Sequence, residues 1–265
     1  MKVGITGCAG RMGRMLIKTV TAHSDCDVVG GVEYDGSPDL GKDLGVLAGI
    51  EPLSIAASND TEALFVEADV IIDFTLPTAT SRHVALAKAN KTALVLGTTG
   101  LPKETAVEIE VASRDTAIVW TGNYSLGVNL LSILVEQAAK ALGDDYDIDI
   151  LEMHHRHKID APSGTALLLG KAAAEGRGVD FEKVSKLSRE GQTGARPRGE
   201  IGFATLRGGD VPGEHSVMFA AEGERIELTH KAGNREVFAR GAVAAAQWVN
   251  DKEPGLYDMK DVLGL

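Results

Sequence analysis

The sequence predicts an α/β chain of two domains, a doubly wound parallel sheet followed by a mixed α+β domain. Three observations predict it. Short apolar runs alternate with helix-period stretches through the first half, a glycine-rich turn separates the first run from the first helix, and after Asn123 the alternation gives way to a long apolar helix and closely spaced strand runs. At 265 residues the chain exceeds one usual core, and its 44% hydrophobic and 25% charged residues supply a buried interior, which excludes disordered and collagen-like chains.

Residues 3–6 read as a buried strand, Gly7, Gly10 and Gly13 as a turn, and Met12, Met15, Leu16 and Val20 recur at helical spacing. Residues 28–33 form the second strand. Strand runs at 70–74, 93–97 and 117–120 alternate with helices near 82–89 and 103–112, a pattern that specifies a parallel sheet with helices on both faces. An apolar helix over 128–142, a strand over 147–153 and a helix opening near Gly164 follow. From Glu200 the chain reads as a meander of strands at 201–206, 216–221 and 225–230, turned at Gly208-Gly209 and Glu222-Gly223. Residues 182–197, rich in Lys, Arg, Ser and Gly and without an apolar repeat, read as a mobile loop. A final helix over 236–249 is expected to return to the first domain, so that residues 1–125 are completed by 236–265 and residues 126–235 form the second domain.

The 38 acidic residues outweigh 27 basic ones, and a formal net charge of -11 repels phosphate backbones and anionic lipid, so neither nucleic acid nor membrane is an expected partner. No stretch reaches the roughly 20 apolar residues of a membrane helix, and the start MKVGITGCAG runs into a strand and turn instead of a signal peptide, which places the expected location in the cytoplasm. Cys8 and Cys26 are too few for a disulfide framework, and Cys8 is read as a small loop residue, although a helix N-terminus can lower a thiol pKa.

In Gly7-Cys8-Ala9-Gly10-Arg11-Met12-Gly13 the first glycine interval departs from G-x-G-x-x-G. The physical use is unchanged: bare backbone lets a pyrophosphate approach, and the helix N-terminus faces the anion. Glu33 follows about twenty residues after Gly13, at the end of the second strand, where a carboxylate can accept ribose hydroxyls. The arrangement predicts a Rossmann-type dinucleotide site. Glu33 repels the extra phosphate of NADPH and is followed by Tyr34 rather than an arginine, so NADH is the predicted preference. Gly97-Thr98-Thr99-Gly100 and Phe74-Thr75 lie at strand carboxyl ends, where such sheets bind ligands; ordinary connecting loops are the alternative.

Glu152 to Thr165 read EMHHRHKIDAPSGT, with three histidines, an arginine and a lysine in five consecutive positions. In so acidic a chain this is a local reversal of charge. It suits a proton donor and anion anchor, since histidine titrates near neutrality and lysine is a charged, flexible donor. Metal binding through His154 and His157 is opposed by Arg156 and Lys158 and by the lack of further ligands, and a solvated basic loop is the bland alternative. Pro162-Ser163-Gly164-Thr165 opens an apolar helix whose N-terminus suits a carboxylate, so a dicarboxylate would be gripped there and at His155 or Lys158.

GCAGRMGR, DFTLP, GTTG, NYSLGVN, EMHHRHKIDAPSGTAL and IGFATLRGGDVPGEH together resemble the 4-hydroxy-tetrahydrodipicolinate (dihydrodipicolinate) reductase family from end to end. The resemblance implies NADH- or NADPH-dependent reduction of 4-hydroxy-tetrahydrodipicolinate in the diaminopimelate and lysine pathway, by a homotetramer built through the second, substrate-binding domain. It implies His154 as proton donor or acceptor, Lys158 as proton donor, and His155, Gly164 and Thr165 as substrate contacts. The cofactor contacts it implies are Gly7, Cys8, Ala9, Gly10, Arg11, Met12, Glu33, Gly97, Thr98, Thr99, Gly122, Asn123, Tyr124 and Ser125. Tyr34 and Leu76 stand where some members carry arginine. Two other classes compete: a dehydrogenase for a semialdehyde or amino acid, and a non-catalytic nucleotide sensor, which needs an output surface this chain does not display.

Overall fold

The computed structural model describes all 265 residues, and contacts divide them into two units, Met1–Leu126 with Glu236–Leu265, and Gly127–Arg235. The first unit opens with β1 (Lys2–Thr6), α1 (Arg11–Thr21) and β2 (Asp27–Val32). There follow α2 (Leu44–Ala48), α3 (Thr61–Glu67), β3 (Val70–Asp73), α4 (Pro77–Asn90), β4 (Ala93–Leu96), α5 (Lys103–Ala112) and β5 (Ala117–Trp120). All residues of β3 and β4 are buried, as continuous apolar runs must be when helices cover both faces of a parallel sheet. Alternate residues serve opposite faces: Ile72, Val95 and Val119 join one core, and Ile71, Leu94 and Ile118 the other. Each such side chain contributes roughly 1.5–3 kcal/mol on burial.

Two short helices, α2 and α3, and the early start of α4 were not legible as periodicity. Their signals are caps: Asp43 accepts the amide of Val46, Asp60 accepts that of Ala63, and Pro77 stands in the first turn of α4, where a missing N–H costs nothing.

The second unit contains most of α6 (Leu126–Leu142), then β6 (Asp147–His154), α7 (Gly164–Arg177), α8 (Phe181–Val184), β7 (Ser185–Lys186), β8 (Ile201–Arg207), β9 (Glu214–Ala221) and β10 (Glu224–Lys231). Its sheet runs in the order β10-β9-β6-β8-β7. The expected meander is therefore corrected. β9 and β10 are a hairpin turned at Glu222-Gly223, but β8 lies parallel to β6 and β9 antiparallel to its other side, so Gly208-Gly209 begins a crossover past the end of β6. The reason is connectivity: alternation leaves strand order open, and the chain after β8 crosses the end of β6, so that β6, with Ile148, Ile150, Glu152 and His154 enclosed, has a partner on each edge. The 182–197 segment holds α8 and β7 and is tied down by charge, with Arg189 paired to Asp149 at 2.8 Å and Arg196 to Asp147 at 3.1 Å.

After the second unit, α9 (Glu236–Val249), β11 (Gly255–Tyr257) and α10 (Met259–Leu263) complete the first. β11 pairs in parallel with β5, giving the six-stranded order β11-β5-β4-β3-β1-β2. α9 packs through small residues, with Ala239, Ala242, Ala245 and Ala246 fully buried. No helix is long and apolar enough to cross a membrane.

Candidate active site

In the first unit the glycine turn is held by its own surroundings. Gly7 takes a positive φ of 65°, Gly7 and Cys8 donate their amides to the Val32 carbonyl at 2.8 and 3.2 Å, and Ala9 donates to Glu33 Oε1 at 2.7 Å. A Cβ on Gly13 would lie 2.2 Å from the Gly7 carbonyl oxygen, so only glycine lets α1 approach the turn so closely. α1 has neither a side-chain cap nor an acidic residue in its first turn, which leaves the amides beginning at Arg11 and Met12 for an anion. A cavity of about 770 Å³ lies beside this turn, bordered by Gly7, Ala9, Gly10, Glu33, Tyr34 and Thr75 among others. These features fit a dinucleotide, with Glu33 both securing the turn and bordering the cavity.

The remaining predicted contacts divide by accessibility. Thr99 and Gly122 are exposed, while Thr98 is buried with its hydroxyl donated to the Thr75 carbonyl at 3.3 Å, and a Cβ on Gly97 would strike the Phe74 ring at 2.3 Å. Asn123 accepts the Ser125 amide through its side chain at 2.9 Å. Tyr124 is buried with its hydroxyl donated to the carbonyls of Leu96 and Val119, so it can offer a ligand only its backbone. Cys8 is likewise fully buried, and burial followed by the charge of Glu33 pushes its thiol up to about 12. That excludes a thiolate nucleophile. Sequence reasoning missed Asp73 and His83, a buried pair with Nδ1 2.7 Å from Oδ2; the other Asp73 oxygen accepts the Thr75 amide and hydroxyl and shapes the loop after β3.

In the second unit the cationic run leaves the end of β6. Two loops clasp each other there: His155 and Arg156 donate their amides to Val211 and Gly209, and Gly208 donates back to His154. Strand alternation turns His154 inward, while Arg156 and His157 are exposed. His154 Nδ1 lies 2.6 Å from Oε2 of Glu152, a carboxylate with no exposed surface. Burial pushes His154 below its ordinary value, aided by the charges of Lys158 and Arg207 and opposed by Glu152. Lys158 donates to Asp160 at 2.8 Å, and Arg235 Nη2 lies 3.2 Å from His155 Nε2. Ser163 caps α7 by accepting the Ala166 amide; Gly164 is exposed and Thr165 half-buried in the first turn beyond it.

Glu152, Arg207, Asp160 and His215 were not predicted as functional. Arg207 clamps Glu152 through two nitrogens at 2.7 and 2.9 Å, and His215 stands edge-on to His154 with ring centroids 5.1 Å apart. The available signal was phase: Glu152 falls on the enclosed face with Ile148 and Ile150, and a charge there demands partners. No group of three or more His, Cys, Asp or Glu is arranged to hold a metal ion.

A parallel doubly wound sheet with this turn and carboxylate, joined to a unit bearing a buried carboxylate–imidazole pair among cations, defines an oxidoreductase with an NAD(P)-binding fold. Residues 1–124 match the family described as "Dihydrodipicolinate reductase, N-terminus" and residues 127–263 the one described as "Dihydrodipicolinate reductase, C-terminus". The chain belongs to the dihydrodipicolinate reductase family. It is 55% identical to a 4-hydroxy-tetrahydrodipicolinate reductase of Parvibaculum lavamentivorans, covering 100% of this chain and 98% of the relative. A protein of the same name from Afipia carboxidovorans is 56% identical over 100% of this chain and 97% of its own. Among solved structures, the dipicolinate-bound dihydrodipicolinate reductase of Paenisporosarcina sp. TG-14 superposes with a TM-score of 0.78 at 26% identity, covering 97% of both chains. An amine dehydrogenase from Mycobacterium smegmatis, at TM-score 0.65 and 12% identity over 97% of this chain and 94% of its own, shares the fold alone.

Proposed function

We propose that this chain reduces 4-hydroxy-tetrahydrodipicolinate to tetrahydrodipicolinate with a reduced nicotinamide dinucleotide, in the diaminopimelate and lysine pathway. The observation that carries this reading is the buried Glu152–His154 pair beside Lys158 and the start of α7, within a chain 55% identical end to end to a reductase of that name. The substrate is a small dicarboxylate, supported by the dipicolinate held by the solved relative. One carboxylate is held by the first amides of α7 with Gly164 and Thr165; the other meets His155, next to Arg235, and Lys158.

The nicotinamide supplies a hydride when bound. Gly7, Cys8, Ala9 and Gly10 form the bare turn against which its pyrophosphate would lie, the amides at Arg11 and Met12 would hold that anion, Glu33 its ribose, and residues 97–99 and 122–125 the remainder, Tyr124 through backbone alone. The chain's own chemistry is proton handling and charge stabilisation: Lys158 donates a proton, and His154 gives or takes one at Nε2, since Nδ1 is committed to Glu152. NADH is the preferred cofactor. Glu33, Asp35 and Asp39 all border the cavity and repel an additional phosphate, while Arg82, also on its border, lies 3.7 Å from Glu62.

The chain acts as a homotetramer joined through second units. Support comes from β10, an eight-residue edge strand with mostly exposed side chains, which is a template for pairing with another copy. Buried free thiols at Cys8 and Cys26 suit the reducing cytosol. The test of the whole reading is a coupled assay with freshly generated substrate and each cofactor in turn; no NADH consumption above the substrate-free rate would refute it.

A further inference from the structure

We propose that Glu152 is the positioning residue of the second unit, one carboxylate that orients the His154 imidazole and, through Ser163 and Arg207, fixes the start of α7 and the loop carrying Lys158. The proposal rests on the reading of His154 and Lys158 as the proton-handling groups. It goes further by naming what keeps them in place.

Each carboxylate oxygen has assigned partners. Oε2 meets His154 Nδ1 at 2.6 Å and Arg207 Nη1 at 2.7 Å. Oε1 accepts the Ser163 amide at 3.0 Å, Arg207 Nη2 at 2.9 Å and the Thr205 hydroxyl at 3.3 Å. Arg207 Nη2 also donates to the Asp160 carbonyl at 2.6 Å, and the Asp160 side chain accepts Lys158 at 2.8 Å. A fully enclosed carboxylate thus links β6, β8, the 155–160 loop and the cap of α7 in one network.

Three consequences follow from the bonding. A carboxylate accepts only, so His154 carries its proton on Nδ1 when neutral, and Nε2 is the atom left to exchange a proton with a ligand. Removing the carboxylate frees the imidazole to take the other tautomer and to rotate. Burial disfavours the charge on Glu152, but Arg207, His154 and the Ser163 amide outweigh it and hold its carboxyl below the usual range, so it stays ionised at neutral pH. The charged and titratable groups facing His154 are Glu152 from its own strand, Arg207 from β8, His215 from β9 and Lys158 from the loop. Glu152 is the only anion among them, so neutralising it must move the His154 titration to lower pH.

The test uses the full chain and Glu152→Gln, which keeps shape and an acceptor while removing charge. Expected are a kcat at least roughly 100-fold lower with the NADH KM within about threefold, and a His154 midpoint, read by imidazole NMR, moved to lower pH. Unchanged kcat overturns the proposal, and so does a kcat loss with an unmoved midpoint, which is what a merely structural role would give. If Glu152→Gln does not fold, the wild-type protein carries the test. The wild-type spectrum is decisive without any variant: above its midpoint neutral His154 must appear as the Nδ1–H tautomer, and an Nε2–H tautomer overturns the assignment. Because the NMR readout needs no turnover, a wild-type chain inactive on the substrate would refute the functional reading while leaving this one separately decided.

Discussion

The Ser163 hydroxyl lies 3.0 Å from Nε2 of the buried His215 while its oxygen accepts the amide of Ala166 at 3.2 Å. The cap of α7 therefore leans on a neutral imidazole. Burial, and then the proximity of His154, pushes His215 down to about 4. A folded value below the ordinary 6.5 means that the unfolded chain binds the proton first. Stability is complete above pH 6.5 and falls as pH drops towards 4, by on the order of 3 kcal/mol for this group. Urea midpoints of the wild type and His215→Gln across that window check this: the variant should show the shallower slope, and parallel curves would clear His215 of the effect.

Lys158→Ala and His154→Ala should each lower kcat by roughly 100-fold or more while leaving far-UV circular dichroism unchanged. His154 is enclosed but bonded to Glu152, which keeps Arg207 and the Ser163 amide, and Lys158 is bonded only to Asp160; neither belongs to an apolar core cluster. Near-normal turnover in both variants would remove the proposed acid–base pair.

Cofactor discrimination should depend on the charge of Glu33. Glu33→Gln retains an oxygen for the Ala9 amide, now accepted at 2.7 Å, and removes one repulsion. We expect the NADH-over-NADPH ratio of kcat/KM to fall by roughly tenfold, about 1.4 kcal/mol. An unaltered ratio would move the discrimination to Asp35 or Asp39.

Gly241 on α9 lies so close to residue 124 that an added Cβ would sit 1.6 Å from the Tyr124 carbonyl oxygen. Backbone cannot yield cheaply, so Gly241→Ala should cost roughly 3 kcal/mol. Its thermal midpoint should drop well below that of Gly164→Ala, where the new Cβ meets nothing.

The strands of the first unit were legible because a parallel sheet covered on both faces demands unbroken apolar runs, and 70–74, 93–97 and 117–120 are such runs. The order of strands in the second unit was not. Alternation along β6 reads the same whatever its neighbours are, and only the crossover after β8 puts β6 between β8 and β9. At the candidate site, the five-residue cationic run singled out the proposed residues His154 and Lys158 by charge contrast. Glu152 went unnoticed as a hub because its partners Arg207 and Ser163 lie 55 and 11 residues away, contacts that no local pattern encodes.

The edge of the first unit's sheet is built from residues that emerge from the ribosome after the whole of 127–235. Until α9 and β11 appear, β5 has one bare flank and the apolar surface that receives Ala242, Val243 and Ala246 stands open to water. Nascent chains are thus born with the inserted unit free to form first and the nucleotide-binding half waiting for its tail. During the interval before α9 and β11 arrive, that half carries an unpaired strand edge and bare apolar surface, the features through which nascent chains aggregate.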